Sequence, residues 1–146
     1  MAFELFEHKA DIGIRGFGRS TDEAFAEAGK ALFEVMCDTS KVDPLKAHKF
    51  VVEAPDLGAL LVKYLNELLF VKDTKKMLYS QFRVKIAEQG NPNGEKSFKL
   101  EGVIFGEKID TKKHSTKVDP KAATYSQLLV EKKSDGKWVA QCIIDV

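Results

Sequence analysis

A chain of 146 residues with a formal net charge of +1 has no overall field to draw it toward nucleic acid or anionic lipid. Its 44% hydrophobic and 31% charged residues suit one globular domain with a proper core, and the length is short for two. No segment has the apolar length of a membrane span, and residues 1–5 lack the features of a signal peptide. The expectation is a cytoplasmic protein that avoids membranes and makes no strong direct contact with nucleic acid.

Phe3 and Leu5 alternate with Glu4, and Ile12 and Ile14 alternate with Gly13 and Arg15. This period of two predicts two strands, broken near His8 and Asp11 and ended by Gly16 and Gly18. The glycines have neither the order nor the spacing of a dinucleotide loop and are read as turn residues. Ser20 and Glu23 stand at capping-box spacing. Ala24, Ala28, Leu32, Val35 and Met36 follow as one apolar helix face, which fades at residues 37–40. Beyond Pro44, residues 48–53 read as a short strand, with His48 a solvated edge residue. Asp56 then caps a second helix, in which Leu57, Leu60, Leu61, Tyr64, Leu65, Leu68 and Leu69 keep helical spacing without a miss. That helix is expected to stop at residues 72–74.

From Leu78 onward the pattern is of strands alone. Phe82, Val84 and Ile86 alternate, residues 90–94 form a loop, and apolar residues resume from Phe98 to Phe105. Residues 106–120, which include His114, are polar and irregular. A strand is expected from Lys121 to Val130, then a two-residue type I′ turn at Asp135 and Gly136, then a last strand from Trp138 to Ile144. In that strand Trp138, Ala140, Cys142 and Ile144 share one face, and Val139, Gln141, Ile143 and Asp145 the other. Two largely apolar faces call for a central or doubly covered strand. Cys37 and Cys142 lack metal-type spacing and read as small buried side chains in a reducing compartment. The elements add up to an α+β protein: a single domain over residues 1–146, mostly antiparallel β-sheet, sandwich-like, with two packed helices.

The chemistry concentrates at the two ends of the chain. Asp11 lies in a run suited to a half-buried strand, where a carboxylate needs a partner: backbone N–H groups in a turn, a cation or a metal. Asp145 and the terminal carboxylate of Val146 place two anionic groups within one residue. If the first strands lie beside the last, Asp11 makes a third, and converging carboxylates repel unless a cation sits among them. Oxygen donors of this kind favour Ca²⁺, Mg²⁺ or Mn²⁺ over Zn²⁺. The bland alternative is an acidic end exposed to water.

Four segments resemble, in order, the motifs of the archease family: FEHKADIGI at residues 6–14, LNELLF at 65–70, KAATY at 121–125 and IDV at 144–146. Together they span nearly the whole chain. The resemblance implies a non-catalytic protein cofactor of the RtcB-type tRNA-splicing ligase, which uses GTP and Mn²⁺ to guanylylate its own active-site histidine before joining RNA ends. It also implies a divalent ion held by Asp11, Asp145 and Val146, and a role for Lys121 in ligase activation. His8, His114 and Ser126 are candidates for the surroundings of that ion.

Two positions depart from the family pattern: Lys9 replaces the usual Thr, and Ser126 the usual His. A two-residue hairpin at Asp135 and Gly136 would place Ser126 opposite Asp145, so loss of the imidazole favours an all-oxygen site. Two further functions fit the same residues. One is a small metal-dependent hydrolase, for which no general base stands at a defined spacing. The other is a chaperone or interaction module for an RNA-modifying enzyme.

Overall fold

The computed structural model describes residues 2–8 and 10–146, with His8 described by its main chain. Strands β1 (Ala2–His8) and β2 (Asp11–Gly18) form an antiparallel hairpin in which His8 faces Asp11. Then come α1 (Thr21–Met36), β2's neighbour in space, and β3 (Lys46–Ala54), α2 (Leu57–Lys75), β4 (Met77–Gly90) and β5 (Lys96–Lys108). The chain closes with β6 (Ala122–Ala123), β7 (Leu129–Lys132) and β8 (Trp138–Asp145). One sheet has the order β1-β2-β8-β6 with β7 also on β8, and the other has the order β3-β5-β4.

The two helices form a layer between the sheets. α1 packs on β1, β2 and β8 from one side and on β4 from the other; α2 packs on β3, β4 and β5 and, across from them, on β6 and β7. A helix with a sheet on either side buries more than one stripe. Hence Val62 and Val71 of α2 are buried along with Leu60, Leu61, Tyr64, Leu65, Leu68 and Leu69. The helix starts are capped where the sequence places them. Ser20 accepts from the Glu23 N–H at 3.2 Å, and Asp56 accepts from the Ala59 N–H at 2.8 Å. α2 runs past residues 72–74 to Lys75 and ends at Lys76, whose φ of 54° is left-handed. The expected α+β class, with two helices and antiparallel sheet, is the class observed.

Several local expectations are corrected. Gly16 does not end the second strand, which runs through it and stops at Gly18. A Cβ at Gly16 would stand 2.2 Å from the Ala24 carbonyl oxygen of α1, and one at Gly13 would stand 2.0 Å from the Phe6 ring. These glycines admit close neighbours rather than turns. His48 is only half exposed; its ring stacks with Phe50 at 6.3 Å, and burial pushes its pKa down.

The turn before β8 is not type I′. Lys133 donates to the Lys137 carbonyl at 2.7 Å, and Gly136 donates to the Lys133 carbonyl at 2.9 Å, enclosing Ser134, Asp135 and Gly136. Gly136 has φ 88°, and Asp135 is not among the residues with positive φ. A type I′ turn would need both of its central residues there, which only glycine accepts without cost. Nor is the stretch from Lys121 to Val130 one strand. It is interrupted between β6 and β7, where Gln127 takes a φ of 49°. β8 is central, as its two apolar faces require: Ala140, Cys142 and Ile144 enter the main core, while Val139 and Ile143 are buried on the outer face.

Candidate metal centre

Strand register decides what gathers at the end of the first sheet. β2 pairs with β8 through Ile12 opposite Ile144 and Ile14 opposite Cys142. One step further along both strands, Asp11 comes beside Asp145. Directly opposed residues hold their Cβ atoms about 5 Å apart. Ile14, Cys142 and Ile144 face the core, so alternation puts the two carboxylates on the outer face. Asp11 is half-buried and Asp145 exposed. Beyond them the half-buried Val146 side chain packs against the core.

On the other side of β8, Ala122 is opposite Asp145 and Ala123 opposite Ile144. The Lys121 N–H donates to the Asp145 carbonyl at 2.8 Å, joining the lysine to the same corner through the main chain. Its side chain is exposed and, among the described residues, pairs with no carboxylate. Alternation assigns it to the face of Ala123, which belongs to the core. The corner therefore straddles the sheet end, carboxylates on one side and cation on the other.

The donor set suits a hard divalent ion. Among the described residues neither Asp11 nor Asp145 has a side-chain hydrogen bond or ion pair, and no three of the described His, Cys, Asp and Glu side chains converge as a metal-holding group. The residues that could hold such an ion are Asp11, Asp145 and Val146 through a main-chain oxygen, an all-oxygen set of few protein ligands.

The other candidates fare differently. Ser126 is not opposite Asp145; its carbonyl accepts from Ile143 N–H at 3.2 Å, and Ala122 has the expected place. The cause is the three-residue turn together with the break at Gln127. His114 is buried, with both ring nitrogens engaged elsewhere: Nδ1 accepts from the Asp110 N–H at 2.9 Å, and Nε2 lies 2.9 Å from Glu107 Oε2. The His8 side chain and Lys9 lie outside the described residues. Sequence reasoning missed Asn66, whose amide donates to the Ala123 carbonyl at 3.2 Å and accepts from its N–H at 2.8 Å. Its only signal is a polar residue set among the leucines of α2.

The Archease protein family (MTH1598/TM1083) matches residues 3–146. Protein archease of Pyrococcus abyssi is 41% identical over 144 residues, covering 99% of this chain and 98% of that protein. Protein archease of Sulfurisphaera tokodaii is 41% identical over the same length, with the same coverage. The solution structure of Methanobacterium thermoautotrophicum protein 1598 superposes with a TM-score of 0.78 at 30% identity, covering 99% of this chain and 98% of that one. A family match of this extent, with the four sequence motifs converging on one sheet and the helix packed beneath it, makes this chain a member of the archease family.

Proposed function

We propose that this protein is a non-catalytic activator of an RtcB-type tRNA-splicing ligase, promoting guanylylation of the ligase by GTP and so its repeated turnover. One observation carries the reading: register brings Asp11 beside Asp145, with Lys121 hydrogen-bonded to the same residue. Asp11, Asp145 and the main chain of Val146 would hold a divalent ion, Ca²⁺ or in function Mg²⁺ or Mn²⁺. Bound there, the ion supplies positive charge where phosphate oxygens gather. Lys121 offers a compact ammonium group to a GTP phosphate or to a ligase carboxylate. Because the carboxylates and the lysine occupy opposite sides of the sheet end, the ligase receives that end edge-on. The likeness to archeases supports the reading, and so does the absence of a described cation against either aspartate.

Multiple-turnover RNA ligation by the cognate ligase, with and without this protein, tests the proposal. Asp11→Ala and Asp145→Ala are each expected to weaken divalent-ion binding and remove most of the stimulation; Lys121→Ala removes stimulation but leaves ion binding intact. Unchanged stimulation by both aspartate variants sinks the metal-corner mechanism. Turnover of RNA or nucleotide by the protein alone would replace it with a metal-dependent hydrolase.

A further inference from the structure

β6 is two residues long, too short to be held in place by its own ladder. Nevertheless the segment carrying Lys121 is held firmly, and the grip comes from α2. At its far end the Asn66 carboxamide takes both main-chain groups of Ala123, doing for β6 what a further strand's peptide would do. At its near end Lys72, with a side chain 13% exposed, places its ammonium 2.7 Å from Asp119. Pro120, buried, follows Asp119 directly and limits the backbone between these two anchors. On the sheet side the Lys121 N–H reaches the Asp145 carbonyl at 2.8 Å, and Thr124 donates its N–H and its Oγ1 hydrogen to the Ile143 carbonyl at 3.0 and 2.8 Å. Lys121 thus lies between two attachments to one helix, and its main chain is bonded to the residue that supplies a carboxylate.

We propose that Asn66 and Lys72 are positioning residues: α2 sets where Lys121 stands relative to Asp145, and thereby couples the buried helix layer to the end of the sheet. The inference rests on the ligase-activator reading for its functional meaning, but its physical content is independent of the ligase. Removing the Asn66 amide strips the Ala123 N–H and carbonyl of their partners and frees the far anchor. Removing the Lys72 ammonium frees the near one. Either change lets residues 119–124 lift from β8, exposing the Lys121 amide and loosening the Asp145 main chain.

Three measurements on the same samples test this: residue-resolved amide hydrogen exchange, titration with Ca²⁺ alone, and stimulation of the cognate ligase. In Asn66→Ala the Lys121 and Ala123 amides are expected to exchange about tenfold faster, the scale of one lost hydrogen bond, while β2 amides keep wild-type rates. Ca²⁺ affinity and ligase stimulation fall with them. Lys72→Met keeps the alkyl stem and is expected to speed exchange at Lys121, with a smaller effect at Ala123; Lys72→Arg restores wild-type values.

If Asn66→Ala speeds Ala123 alone and leaves Lys121 exchange and Ca²⁺ affinity unchanged, the amide is a local cap and the inference is overturned. If that variant loses protection throughout, Lys72→Met decides by the same criterion at Lys121, because it keeps the buried alkyl stem and its partner Asp119 is 81% exposed. Full stimulation by Lys121→Ala would defeat the role of Lys121, and no stimulation by the wild type would defeat the ligase reading; either leaves the exchange and Ca²⁺ results to judge the clamp.

Discussion

The Phe6 ring lies over Gly13, and the Arg15 guanidinium lies over that ring, 4.1 Å from its centroid. Arg15 also donates through Nε to Gln141 at 2.5 Å and approaches Glu4 at 3.4 Å. Two residues of the opening motif, and Arg15 just after it, are thus explained by packing: Phe6 needs the missing Cβ of Gly13, and Arg15 covers what Phe6 leaves open. Arg15, the described cation on this stretch of β2, is committed to Glu4 and Gln141. Asp11 was legible in the sequence because a carboxylate is misplaced in an apolar strand. Asn66 was not, since a single polar residue in a leucine stripe reads as an exposed position until the strand that it holds is known. The thiols behave as their burial dictates. Desolvation pushes Cys37 up to about 11 and Cys142 up to about 12, so neither is a thiolate at neutral pH. A thiol-reactive disulfide reagent at pH 8 is expected to find almost no reactive cysteine in the native protein and two after denaturation. Rapid native labelling would contradict this burial.

Among the elements, the β7–β8 hairpin has the largest consequence for the site. One residue added to its turn shifts the partner of Gln141 to Leu129, and the interruption at Gln127 shifts the next segment again, so that Ala122 meets Asp145. Turn chemistry at Asp135 and Gly136 was legible; the size of the turn was not, because the same dipeptide serves a two-residue and a three-residue loop. Of Ser134, Asp135 and Gly136, only Gly136 takes positive φ. Gly136→Ala is expected to cost about 1–2 kcal/mol of unfolding free energy by forcing a Cβ into the left-handed region, measured by chemical denaturation. An unchanged midpoint would mean that the hairpin tolerates another turn. The leucine face of α2, the most regular pattern in the sequence, is core packing. That the helix also presents Asn66 to β6, and Lys72 to Asp119 just before it, depends on a sheet lying on its other side.

Across the whole molecule, one carboxylate ties the second sheet to the long connection leading to Lys121. Glu107 accepts from the Asp43 N–H at 2.8 Å and lies 2.8 Å from Lys113 and 2.9 Å from the His114 ring; Lys113 also reaches Asp43 at 2.7 Å. The Lys113 ammonium, then the Asp43 N–H, hold the Glu107 pKa down to about 2 from an ordinary 4.5. A depressed carboxylate contributes stability that is complete above its unfolded value and is lost as pH falls through its folded one. The stability difference between wild type and Glu107→Gln is therefore expected to be full above pH 5 and to shrink between about 4.5 and about 2. A difference constant with pH in denaturation series would show that Glu107 acts by shape alone. The sequence by itself determined the two helices and their caps, the strands outside residues 121–130, and that acidic groups wait at both ends of the chain. Those features follow from local periodicity and side-chain chemistry. Only the tertiary structure decided which of those groups meet. Strand register is set by turn size, interruptions and packing summed over the whole sheet, and a slip of one residue sends a side chain to the opposite face. Asp11 and Asp145 share a face because that sum places Ile12 opposite Ile144.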